Sequence, residues 1–138
     1  MNQPLVDMVK RHEGLRLKVY NDHLGNATIG YGHQMIKTEY KEISMEKAEE
    51  MLSYDLLTAT EAFWHIFPYP RWFSENRKNA MIDMIFQLGP TGFRHFKKAI
   101  AHVEMAQWPE AAADFRDSLW ARQTPVRAEE ICRMIELG

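Results

Sequence analysis

The sequence has almost no cysteine: Cys132 stands alone among 138 residues, which excludes an internal disulfide and any cysteine-rich metal site. It also lacks a long apolar run, and no stretch approaches the roughly 20 consecutive apolar residues of a membrane-spanning helix. Charge of one sign is missing too. A net charge of -2 gives no global positive field, so binding to nucleic acid through phosphate neutralisation has no support. The N-terminal segment reads as an amphipathic helix without the apolar core and cleavage site of a signal peptide, so standard secretion is not expected. There is no internal repeat and no low-complexity tract. What is present is the balance of one compact globular domain, 46% apolar and 26% charged.

Leu5, Met8, Val9 and His12 form one stripe of a short helix that Gly14 should stop, leaving Glu13 at its end. From Leu15 the pattern alternates, then reaches the turn-forming run Asn21–Asn26 and a second extended run, Ala27 to His33. This predicts a hairpin. With the turn centred on Gly25, Asp22 lies across from Thr28, and Gly30 and Gly32 keep the return strand uncluttered. Lys37 to Ile43 is polar and unpatterned, after which Ser44 caps a helix. That helix's inner face is Ala48, Met51, Leu52, Asp55, Leu56, Ala59 and Phe63. Asp55 is an anomaly on such a face and requires a partner, and His33, which ends the hairpin, is the best placed.

Pro68 and Pro70 break the helical pattern, Ser74 caps the next helix, and the run Ala80–Phe86 should be its buried core. Three further helices are expected: about Gly92 to His102, Pro109 to about Trp120, and from Thr124-Pro125 to the C-terminus. The expected class is α+β, mainly α. One domain over residues 1–138 would comprise a small hairpin lobe at about 14–55 and a helical lobe at about 56–138, joined by the N-terminal helix 1–13.

Glycosidic cleavage needs a protonated carboxylic acid at the leaving oxygen and a second group on the far side of the sugar. Glu13 at a helix end and Asp22 at a hairpin turn occupy different elements, which can form opposite walls of a groove. Thr28 adds a hydroxyl able to hold a water beside Asp22. Pattern alone leaves Glu13 open to being a solvated helix-terminal acid and Asp22 a turn former. Arg127 stays open between a partner for Glu13 and a solvated arginine. For Trp120 packing is the safer assignment, and Phe86 with Gln87 ends the central helix where either could face a cleft floor. His12, His23, His65, His95 and His102 lack the spacing of a metal site, so no metal and no cofactor is expected.

The segment from Glu13 through Asp22 and Thr28 to His33 closely resembles the Glu/Asp/Thr signature of phage-type lysozymes, the family of the T-even phage endolysin. The likeness continues through Ala48–Asp55, Ala80–Gly89 with Thr91-Gly92, Glu110-Ala111-Ala112, and Trp120 with Gln123–Arg127. It implies a two-lobed lysozyme-like fold and an inverting hydrolase of the bond between N-acetylmuramic acid and N-acetylglucosamine in peptidoglycan. Glu13 would be the general acid, and Asp22 and Thr28 would handle the water. His33 and Asp55 match a stabilising pair, Arg127 a residue contacting the catalytic glutamate, and Phe86 and Gln34 positions of substrate contact. The implied protein is a monomer acting on peptidoglycan, without nucleic acid or membrane insertion. It would be made in the host cytoplasm and act on the periplasmic wall after release, or be carried on the virion.

Two departures stand out. The stretch between His33 and Asp55 is shorter than in the T-even enzyme, and Glu130 stands where a relative carries a basic residue. They motivate an alternative, a lysozyme-like structural or wall-binding component of a phage particle with little activity. A lytic transglycosylase is disfavoured, because it would have no use for Asp22 and Thr28.

Overall fold

The computed structural model describes residues 2–69 and 72–138; Met1 and Pro70, on which parts of the N-terminal and proline readings fall, lie outside them. The described chain is mainly helical with one small antiparallel sheet, an α+β fold. It divides into two compact units, one running to Thr58 and the other spanning Ala59–Gly138.

In the first unit, α1 (Gln3–Glu13) begins where the Asn2 side chain accepts from the Leu5 N–H at 3.3 Å. It buries Leu5, Val6, Met8 and Val9, and ends as Gly14 turns to φ 70°. The sheet follows, with β1 (Arg16–Asn21), β2 (Ala27–Gly30) and β3 (His33–Gln34) side by side in that order. Tyr20 pairs with Thr28 and Asn21 with Ala27 across β1 and β2, while Thr28 pairs with Gln34 and Ile29 with His33 across β2 and β3.

The hairpin expected from alternation therefore carries a third strand. The polar segment after it also joins the sheet: Val19 N–H donates to Lys41 O at 2.9 Å and Ile43 N–H to Leu17 O at 2.8 Å. Backbone bonds hold this segment at the sheet's edge, so it needs no alternation of side chains and leaves no such trace in the sequence.

Helix α2 (Met45–Ile66) starts with Ser44 Oγ accepting from Lys47 N–H at 3.1 Å. Ala48, Met51, Leu52, Leu56, Ala59 and Phe63 are buried along one stripe, as the period requires.

The second unit is helical. Ser74 caps α3 (Glu75–Arg94) at Arg77 N–H, 3.1 Å away. The run from Asn79 to Ile85 is buried, and the helix breaks at Gly89 (φ 76°, ψ 161°) ahead of Pro90. Then come α4 (Lys97–Glu104), α5 (Trp108–Arg116), α6 (Leu119–Gln123) and α7 (Pro125–Leu137). Phe63, Met81, Met84, Ile85, Phe93, Phe115, Ile131 and Ile135 are closed off from solvent in this unit's core.

Two boundaries differ from the sequence reading. Gly92 lies in the last turn of α3, and the next helix begins only at Lys97. The helix expected to reach Trp120 ends at Arg116, because Ser118 adopts an extended conformation and its Oγ caps a new helix at Ala121 N–H, 3.2 Å away. Helix α7 starts at Thr124-Pro125 as expected, with Thr124 in the N-cap position, although its hydroxyl donates to Trp120 O at 3.0 Å rather than capping the helix. Cys132 is buried on α7, and burial pushes its thiol up to about 11.

Candidate active site

Glu13 is the last residue of α1, so its side chain leaves the helix where the chain turns toward the sheet. Its carboxyl rests against Gly32, in the reversal between β2 and β3 at φ +72°. A Cβ added at Gly32 would overlap Glu13 Oε1 and come within 2.8 Å of its Cδ. Gly32 thus serves two needs at once, a left-handed backbone and room for the carboxyl.

Asp22 opens the turn between β1 and β2. Its N–H donates to Asn26 O and its carbonyl accepts from Gly25 N–H, both at 2.9 Å. The carboxylate is surrounded by donors: Oδ1 accepts from Leu24 N–H at 2.9 Å and Asn26 N–H at 2.8 Å. Oδ2 accepts from Asn26 Nδ2 at 3.3 Å and Gln34 Nε2 at 3.2 Å. The Asn26 amide above all, helped by the Asn26 side chain, the Leu24 N–H and His23, holds the Asp22 carboxyl below the usual aspartate value.

Thr28 is almost wholly buried, at 3% exposure, and its hydroxyl donates to Asn26 O at 2.9 Å. One residue, Asn26, therefore fixes both groups: its N–H holds Asp22 and its carbonyl holds Thr28.

The cross-strand partner of Thr28 on β1 is Tyr20, not Asp22. The turn is centred on Leu24, one position before the expected Gly25, which shifts the pairing by two residues and preserves the face on which Thr28 lies. The sequence reading misses this because the Asp22 side chain, accepting from Leu24 N–H and Asn26 N–H, and not Gly25, sets the centre of the turn. Tyr20 also reports on the carboxylates. Burial, then the negative charge of Glu13, and to a lesser degree that of Asp22, raise its phenol, while Arg16 over its ring at 4.5 Å works against them. Glu13 and Asp22 thus act on the same side chain.

His33 and Asp55 come together at 2.7 Å, Nδ1 to Oδ2, with both side chains about a quarter exposed, at 29% and 24%. Gln34 sits on β3 opposite Thr28, exposed, with its amide turned to Asp22. In the second unit Phe86 is half-buried on α3, and the neighbouring Gln87 accepts from Trp120 Nε1 at 2.8 Å. Trp120 is 5% exposed and packs. Arg127 donates from Nε to Asp83 Oδ1 at 3.0 Å, and Asp83 is fully enclosed.

The sequence reading assigns Asn26 only a place in the turn and Gly32 only a place on the return strand, and it does not single out Tyr20 or Asp83. A carboxylate inside the apolar run Ala80–Phe86 was the available signal for Asp83; for the other three, only the register of the sheet reveals the role. Among the described residues no group of three or more His, Cys, Asp or Glu is arranged to hold a metal ion, and no helix is long and apolar enough to cross a membrane.

The phage lysozyme family matches residues 10–129 of the chain. Over its whole length the chain is 30% identical to a probable T4-type lysozyme 2 of Dictyostelium discoideum, covering 96% of that protein. It is 31% identical over 99% of its length to the pre-baseplate central spike protein Gp5 of Enterobacteria phage T4, of which it covers 28%. An endolysin of Acyrthosiphon pisum secondary endosymbiont phage 1 is 30% identical over 78% of the chain and 72% of that protein.

Proposed function

The chain belongs to the phage lysozyme family, and on that premise we propose that it is a peptidoglycan muramidase working by inversion. Its substrate is the bond between N-acetylmuramic acid and N-acetylglucosamine. Glu13, in its protonated form, gives its proton to the leaving glycosidic oxygen as the C–O bond breaks. A water held at Asp22 and Thr28 attacks the anomeric carbon from the opposite face and passes a proton to Asp22.

The local bonding supports these roles. Because the Thr28 hydroxyl spends its own proton on Asn26 O, its free lone pairs can only accept from a water. A water donating one hydrogen to Thr28 and the other to Asp22 Oδ2, where it takes the place of the long 3.3 Å bond from Asn26 Nδ2, presents its lone pair outward, in the orientation attack requires. The donors around Asp22 keep it ionised and ready to accept. The observation that carries the reading is the shared hold of Asn26, whose N–H donates to the Asp22 carboxylate at 2.8 Å while its carbonyl accepts from the Thr28 hydroxyl at 2.9 Å.

We assign Phe86 to saccharide contact and Arg127, fixed by Asp83, to a supporting role. The protein acts on the bacterial wall as a phage or prophage lysis enzyme. The likeness to the spike protein Gp5 favours one second reading, a virion-borne domain of little activity.

Clearing of a peptidoglycan suspension separates the two. The muramidase clears it, and Glu13→Gln lowers the rate by about 10²–10⁴-fold, the usual worth of a general acid. Absence of clearing by both proteins favours the virion component, and equal clearing by both removes Glu13 from the chemistry.

A further inference from the structure

The β2–β3 register sets Gln34 directly opposite Thr28, and cross-strand partners share a face of the sheet. Tyr20, Thr28 and Gln34 therefore form one row across the three strands. At the end of that row the Gln34 side chain does not simply extend into solvent. Its Nε2 donates to Asp22 Oδ2 at 3.2 Å, across a separation of 12 residues in sequence.

The carboxylate offers about four lone-pair positions, and four donors are present, two on each oxygen. Oδ1 is held by two main-chain N–H groups that cannot swing away. Oδ2 is held by two side-chain amides at the longer distances of 3.3 and 3.2 Å, so it is the oxygen able to exchange partners. Of those two amides, only Gln34 comes from outside the Asp22–Asn26 turn. Within the turn Oδ2 is held only by the mobile end of the Asn26 side chain; Gln34 ties that oxygen to the strand that flanks Thr28.

We propose that Gln34 is a positioning residue for the water step, holding Oδ2 of Asp22 in register with Thr28, rather than a contact for the sugar. This rests on the muramidase reading above. Removing the amide leaves Oδ2 with the long Asn26 bond alone and takes away a donor that favours the ionised form. The titratable groups interacting with Asp22 are His23 beside it in the turn and Tyr20 on β1, which also responds to Glu13 and Arg16.

The test compares wild type, Gln34→Leu and Gln34→Glu by steady-state kinetics on soluble peptidoglycan fragments and by carbon-13 titration of the Asp22 carboxyl. The expected result for Gln34→Leu is kcat down about tenfold, the scale of one lost hydrogen bond to a charged group, with KM within twofold. The Asp22 titration and the acid limb of kcat/KM both move to higher pH, and they move further in Gln34→Glu, where a like charge faces Oδ2. A KM raised several-fold with an unchanged Asp22 titration would assign Gln34 to the sugar and overturn the proposal. The carboxyl titration reads the contact without turnover, so a failure of the muramidase reading, seen as undiminished clearing by Glu13→Gln, is separate from a failure here.

Discussion

Gly32 offers the sharpest mutational test, because replacing it with alanine moves Glu13 by an amount the structure sets. The added Cβ would lie 2.8 Å from Glu13 Cδ, whereas comfortable carbon contacts begin near 3.5–4.0 Å. Glu13 must therefore retreat by about 1 Å. Its side chain is half-exposed, which leaves an outward path for the retreat. The backbone adds a cost of its own: an L-residue held at φ +72° costs about 1–2 kcal/mol. In a chain of this size that lowers Tm by roughly 3–8 °C.

For catalysis a shift near 1 Å in a reacting group is worth about 100-fold. Gly32→Ala should thus remain folded at 25 °C, lose about 100-fold in kcat and keep KM within a few-fold. The control is Gly89→Ala on α3, where the backbone is also at positive φ (76°) but an added Cβ meets nothing within 4 Å. It should lose stability and retain kcat. Clearing assays with thermal melts decide the matter. A folded Gly32→Ala enzyme within twofold of wild-type kcat would refute the argument that this glycine sets the position of the acid.

Arg127→Met should destabilise the protein by about 1.5–3 kcal/mol in a denaturant titration, the worth of the charge-assisted bond that Nε makes to the enclosed Asp83 carboxylate at 3.0 Å. The depressed Asp22 carboxyl gives two signs to check. Its share of stability should be present above the unfolded aspartate value and vanish as pH falls through the lower folded value, a slope that melts of Asp22→Asn lack. The acid limb of kcat/KM should likewise lie below the ordinary aspartate value. Cys132, buried and raised to about 11, should resist a thiol-specific reagent at pH 7 in the folded state and react at once in denaturant.

Much of the architecture was legible because it rests on periodicity. The α2 stripe, the Ser44 and Ser74 caps and the helix-ending Gly14 follow from local rules that tertiary packing reinforces. The His33–Asp55 contact was foreseeable because a carboxylate on an apolar helix face must find a donor. The division between α5 and α6 was not, since it depends on Ser118 Oγ donating back to Phe115 O while accepting from Ala121 N–H, a double role that propensity does not decide. In the site, residue types pointed to Glu13, Asp22 and Thr28, but not to how they are held. Asn26 was read only as a turn former, Gly32 only as a small residue, and the Arg127–Asp83 pair joins positions 44 apart. Such relations arise from register and packing, which short-range patterns do not encode.

The account stands or falls on a water delivered from the Asp22 and Thr28 side while Glu13 protonates the opposite face. Proton NMR of the first turnovers on a defined muropeptide oligomer, run in oxygen-18 water with mass analysis of the new reducing end, reads both halves of that statement. The account predicts an initial α-anomer at the cleaved muramic acid carrying one oxygen-18. An initial β-anomer, or an anhydro end that has gained no water, would contradict it.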